Sequence, residues 1–109
     1  MPWLLREGEV LASLEVADTR RARRKGLLGR DGIEGALLLT PAKSVHTIGM
    51  RFQIDVAWCD QNLDVLRIAR LPRRRLSRPV VRSHSVLEAE AGAFARWNLM
   101  VGDHLEMQD

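Results

Sequence analysis

Tyrosine is absent from the 109-residue chain, cysteine occurs once and lysine twice. The single cysteine, Cys59, excludes an intramolecular disulfide and any zinc or iron–sulfur site built on several cysteine ligands. No apolar run approaches the ~20 residues of a membrane-spanning helix. The N-terminal patch Trp3-Leu4-Leu5 is cut short by Arg6 and Glu7. It is too brief for the apolar region of a secretory leader, so a cytoplasmic location is expected. Aromatics are also scarce, with three Trp and two Phe. Phe52, Trp58, Phe94 and Trp97 fall at positions that read as core, which leaves no stacking platform of the kind single-strand binders use. Gly26-Leu27-Leu28-Gly29 lacks the strand-to-helix context and the Lys-Ser/Thr of a phosphate loop, and no G-x-S-x-G elbow occurs. His46, His84 and His104 have no metal-site spacing, so neither metal nor cofactor is expected.

What is present is ordinary apolar content and an unusual set of cations. Hydrophobic residues make up 46%, enough for one core in a single domain over residues 1–109 and too much for a disordered chain. Lys plus Arg is 17 against 14 Asp plus Glu, giving +3 at pH 7, and 15 of the cations are arginine. Arg20, Arg21, Arg23, Arg24, Lys25 and Arg30 form one cluster. Arg67, Arg70, Arg73, Arg74, Arg75, Arg78 and Arg82 form a second, in a stretch from Val65 to Leu87 without acid. The guanidinium fork suits phosphate and carboxylate, so a polyanion such as nucleic acid is one partner to weigh.

The periodicity predicts a mainly β domain with a minor α component. Residues 3–6 and 10–16 read as a hairpin turned at Gly8, with Val10, Ala12, Leu14 and Val16 on one face. Asp18-Thr19 is an N-cap pair for a short surface helix over Arg20–Lys25, ended by Gly26. Ala36–Leu39 is an apolar strand stopped by Thr40-Pro41. Phe52–Cys59 alternates Phe52, Ile54, Val56 and Trp58 with Gln53, Asp55, Ala57 and Cys59, and returns through Asp60-Gln61-Asn62 into a strand over Leu63–Leu71. Pro72–Pro79 reads as an arginine-rich loop. Ser85–Ala91 is another strand, Ala93–Trp97 a short helix, and His104–Met107 a last strand. Short connections favour antiparallel pairing, hence a curved antiparallel sheet or barrel-like fold with one or two short helices.

Several residues stand out as chemistry-bearing. His46, with Thr47 beside it, precedes the strongest strand. It reads as a ligand-binding or acid–base group, or more plainly as a histidine that fixes its loop. Asp55 interrupts an apolar strand and needs a partner if buried, with Arg51 and Arg30 as candidates. Glu88 and Glu90 share one strand face; paired carboxylates can do acid–base work, and more often two such residues are a solvated face or answer the arginines of residues 67–82. Cys59 reads as a small buried hydrophobe. Ser83-His84-Ser85 is no triad, because side chains alternate along a strand.

Three blocks have a familiar order. Arg23-Arg24-Lys25-Gly26-Leu27-Leu28-Gly29-Arg30, then Val45-His46-Thr47-Ile48-Gly49-Met50-Arg51-Phe52-Gln53-Ile54-Asp55-Val56, then Val86-Leu87-Glu88 with Ala91-Gly92 and Gly102-Asp103, resemble the domain of unknown function 192 family. The likeness runs from about Val16 to Met107, and its His-Thr-x-Gly-Met block is the specific part. Gln53 stands where many members have proline, which restores a backbone donor to the strand. The resemblance implies a small β-rich bacterial or archaeal domain and no established activity, substrate or cofactor. The leading expectation is therefore a binding or accessory module for a small anionic metabolite, at Arg30, His46, Thr47, Arg51 and Asp55. The alternatives are weak polyanion binding through Arg67–Arg82, and a cryptic hydrolase using His46 and Asp55 with water.

Overall fold

Glu7 and Gly8 both have positive φ, 52° and 77°, as in the two-residue turns whose twist matches that of paired strands. They join β1 (Trp3–Arg6) to β2 (Glu9–Ala17), the predicted hairpin. Thr19 caps α1 (Arg20–Lys25), accepting from the Ala22 N–H at 3.0 Å. The chain then runs through β3 (Ala36–Leu39), β4 (Ile54–Cys59), β5 (Val65–Leu71), β6 (Ser85–Glu90), α2 (Ala93–Arg96) and β7 (Glu106–Gln108). This computed structural model describes residues 2–109. Its Cα radius of gyration, 12.4 Å, is that of one folded domain of this length.

The seven strands form one curved sheet in the order β5-β4-β6-β3-β2-β1-β7. Five of its six pairings are antiparallel; β2 and β3 run parallel, from Leu14 opposite Ala36 to Ala17 opposite Leu39. That corrects the all-antiparallel expectation. The connection between β2 and β3 contains α1 and its following loop, the kind of crossover that parallel neighbours require. The sheet is not closed, yet its ends are tied at one corner. The Val65 N–H donates to the Asp103 carbonyl at 2.9 Å, Gly102 N–H to Val65 at 2.8 Å, and Leu105 N–H to Leu63 at 2.9 Å.

The central strands are buried on both faces. All six residues of β4 and the first five of β6 are buried. On one face Ala57, Cys59, Leu87, Ala89, Leu38 and Phe94 join one core; on the other Ile54, Val56, Trp58, Val86, Leu37 and Leu27 join a second. Period-two alternation therefore separates two cores here, not core from water. Each face contributes one carboxylate to the interior, Asp55 to the first and Glu88 to the second.

Candidate functional site

The five residues expected to share a ligand site are placed in different surroundings. Arg30 donates from Nη1 and Nη2 to Glu15 at 2.7 and 2.9 Å. That bidentate hydrogen bonding lowers the Glu15 pKa and raises that of Arg30. Arg51 is exposed and meets Asp31 at 3.0 Å. Asp55 pairs with neither; its Oδ1 accepts from Arg70 Nε at 3.0 Å, and its Oδ2 from the Gly92 and Phe94 N–H groups at 2.9 and 3.2 Å. It thus ties β4 to the start of α2, on the face opposite Glu88. Thr47 is fully buried. Its hydroxyl donates to the Pro72 carbonyl at 2.7 Å and accepts from the Arg75 N–H at 2.8 Å. Backbone engages both of its hydrogen-bonding roles, so Thr47 positions the loop. With Asp55 behind the sheet, a hydrolytic pair of His46 and Asp55 does not form.

His46 is brought to a cavity. Thr47, facing inward, anchors residues 45–47 against 75–77 through Thr47 N–H to Arg75 at 2.7 Å and Ser77 N–H to Val45 at 2.9 Å. His46 lies between these anchors and is exposed. On the other side of this loop, Leu28 packs so tightly that a Cβ on Gly49 would stand 3.3 Å from its Cδ2. Between α1 and the loop lies a cavity of about 70 Å³, lined among others by Arg23, Arg24, Lys25, His46, Met50 and Glu88. α1 has only Ala22 to offer a core. It is held instead by buried Leu27 and by Arg23, whose Nη1 donates to the Thr40 carbonyl at 3.2 Å. Its last turn thus supplies three cations to the cavity wall.

Glu88 is the unusual group. It is 3% exposed and stands opposite Leu37 and Val56 in the sheet. No ion pair or side-chain hydrogen bond offsets its burial among the described residues, and desolvation alone pushes its pKa up to about 7. Among the described residues no fully sealed side-chain oxygen or nitrogen lacks a partner, so the carboxyl keeps contact with the cavity that it lines. The end of α1 lies beside it: Gly26, whose φ of 47° favours glycine, would place a Cβ 3.9 Å from Glu88 Oε1, an ordinary contact distance. Glu88 was expected on a solvated or salt-bridged face, and burial by the second core corrects that reading.

The cavity joins the segments of all three sequence blocks: residues 23–28, residues 44–46 with Met50, and Glu88. The sequence pattern of the domain of unknown function 192 family, described as an uncharacterised ACR, matches residues 4–107. The chain belongs to that family. No curated protein matches it. Among solved structures, a protein of unknown function from Novosphingobium aromaticivorans DSM 12444 is similar at 20% identity and a TM-score of 0.79, over 96% of this chain and 82% of that one. A Sinorhizobium meliloti 1021 protein described as a "putative transcription regulator" is similar at 20% identity and a TM-score of 0.78, over 97% and 91%. At that identity the likeness is one of fold.

The remaining reactive groups have structural surroundings. Cys59 is buried and its thiol is pushed up to about 12, chiefly by desolvation, which leaves it unreactive near neutrality. No cluster of three metal-ligating side chains occurs among the described residues. Among the described residues no helix is long and apolar enough to cross a membrane. All seven arginines of the second cluster are exposed. Arg70 is held by Asp55, Arg73 donates to the Met50 carbonyl at 3.1 Å, and Arg67 lies 5.6 Å from the Trp58 ring centroid. The loop of His46 separates this cluster from α1, so both arginine clusters border one loop.

Proposed function

We propose that this domain is a binding module for a small anionic ligand, seated in the cavity between α1, residues 44–50 and Glu88. The observation that supports it is the convergence of three separate sequence segments on one small cavity whose lining includes Arg23, Arg24 and Lys25 beside apolar side chains. Arg23, Arg24 and Lys25 draw a carboxylate or phosphate to the mouth, and His46 hydrogen-bonds to it. Arg30 and Arg51, already paired with Glu15 and Asp31, take a lesser part than their residue types suggested. The cavity is far below the ~300 Å³ of a drug-sized pocket. It admits one end of a ligand and leaves the rest at the rim.

A thermal-shift screen of small carboxylates and phosphates at low salt tests this. A ligand of this cavity raises the melting temperature of the wild type, loses that effect in His46→Ala, and retains it in Arg51→Ala. A response indifferent to His46→Ala contradicts the reading.

A second reading, weak binding of nucleic acid or another polyanion, is favoured by Arg74, Arg75, Arg78 and Arg82. All four are exposed and join no ion pair among the described residues.

A further inference from the structure

We infer that the cavity selects a small zwitterion, its amino group on the Glu88 carboxylate and its anionic group among the cations of α1. This deepens the anion-binding reading and rests on it. The cavity is lined by charges of both signs: the carboxyl of Glu88, which no protein donor satisfies among the described residues, and the cations Arg23, Arg24 and Lys25. Among the described residues none of these cations forms an ion pair with Glu88. A simple anion is drawn by the cations and repelled by an ionised Glu88. A simple amine is drawn by Glu88 and repelled by the cations. A molecule with both charges complements both, and its ammonium supplies the counter-charge that burial denies Glu88. A volume of about 70 Å³ holds a few waters, or an ammonium with a carbon or two behind it. That keeps the carboxylate at the mouth and favours short amino acids over long ones.

The charged groups around the carboxyl are few. α1 contributes Arg23, Arg24 and Lys25, and the loop contributes His46. Glu90 follows on the same face of β6 and is exposed. β3 and β4 oppose Glu88 with Leu37 and Val56, which do not titrate. Raised to about 7 by desolvation, the Glu88 carboxyl is ionised at pH 8, and an ammonium then finds its full charge. Near pH 6 it is mostly protonated and that attraction weakens.

The probes are glycine and β-alanine against acetate and propionate, which have the same carbon chains and lack the amine. Binding is read from amide shifts of residues 23–28, 44–50 and 86–88 at pH 8 and low salt. The amino acids bind about tenfold or more tighter than the simple acids, and Glu88→Gln, an isosteric change that lightens burial, reduces the ratio to about one. An intact amide spectrum of Glu88→Gln shows that the variant folds. Acetate and propionate binding as tightly as their amino counterparts overturns the zwitterion and leaves the anion site standing. An unchanged ratio in Glu88→Gln removes Glu88 from the selection. Silence of the cavity towards the amino acids overturns the inference, and silence in the carboxylate and phosphate screen as well removes the anion reading with it.

Discussion

Asp55 and Glu88 are the two carboxylates that central strands carry into the interior, and their surroundings treat them in opposite ways. Asp55 receives one guanidinium and two backbone N–H donors. Glu88 receives none and stays protonated to about pH 7. Its folded pKa lies above the ordinary 4.5, so the folded state holds the proton more tightly. Stability from this group is complete below about pH 4.5 and is lost as pH rises through about 7, on the order of 3 kcal/mol in all. Chemical denaturation at pH 5 and pH 8 should therefore show a fall for the wild type that Glu88→Gln lacks; parallel pH profiles for the two proteins would contradict it. The sequence displayed both carboxylates but not this difference. Glu88 and Glu90 two residues apart look like one wet face, and alternation cannot distinguish water from a second core.

At the scale of elements, short segments are placed by specific anchors. α2 is four residues long and depends on Asp55 at its start. Asp55→Ala leaves two N–H donors and Arg70 without their acceptor and should cost about 3 kcal/mol, measured by denaturant melts. Arg70→Ala should cost about 1 kcal/mol or less, since more than half of its side chain is in water. The entry to β3 is fixed by Gly35. Its φ is 74°, and an added Cβ would stand 2.3 Å from Ser13 Oγ and 2.4 Å from the Ser13 carbonyl oxygen. Gly35→Ala should cost about 2–4 kcal/mol, because neighbouring backbone cannot yield cheaply. A shift under 1 kcal/mol in the same melts would show that the β2–β3 junction is looser than described. The elements themselves were legible: α1 from its Thr19 cap and Gly26 stop, β3 from its apolar run, and the first hairpin from Gly8. Pairing was not. Period two tells which residues share a face, and nothing in it says that β2 lies beside β3 in parallel. The final strand was read at 104–107 and forms at Glu106–Gln108; His104 instead bridges to Asp64, across the gap where the sheet ends meet.

Across the whole molecule, two basic clusters far apart in sequence flank a single loop. Thr47 makes this so, by anchoring that loop to the backbone of Pro72 and Arg75. The candidate site was legible only in part for the same reason. His46 could be singled out from its own block, but its neighbours in the cavity come from residues 23–28 and from Glu88, and no local pattern joins them. The resemblance of all three blocks to one family was the signal that they belong together. Polyanion binding through Arg74, Arg75, Arg78 and Arg82 makes a separate forecast. Oligonucleotide affinity should fall roughly a hundredfold between about 50 and 200 mM salt, and Arg75→Ala with Arg78→Ala should lower the salt slope by about two. Salt-insensitive binding would count against that second reading and leave the cavity untouched. On the proposal made above, this domain meets its ligand at the cavity and not at the arginine surface. An amide shift map of the labelled protein with a small-metabolite extract at low salt separates the two. Shifts centred on residues 23–28, 44–50 and 86–88 are expected; shifts confined to residues 67–82 would contradict the cavity site.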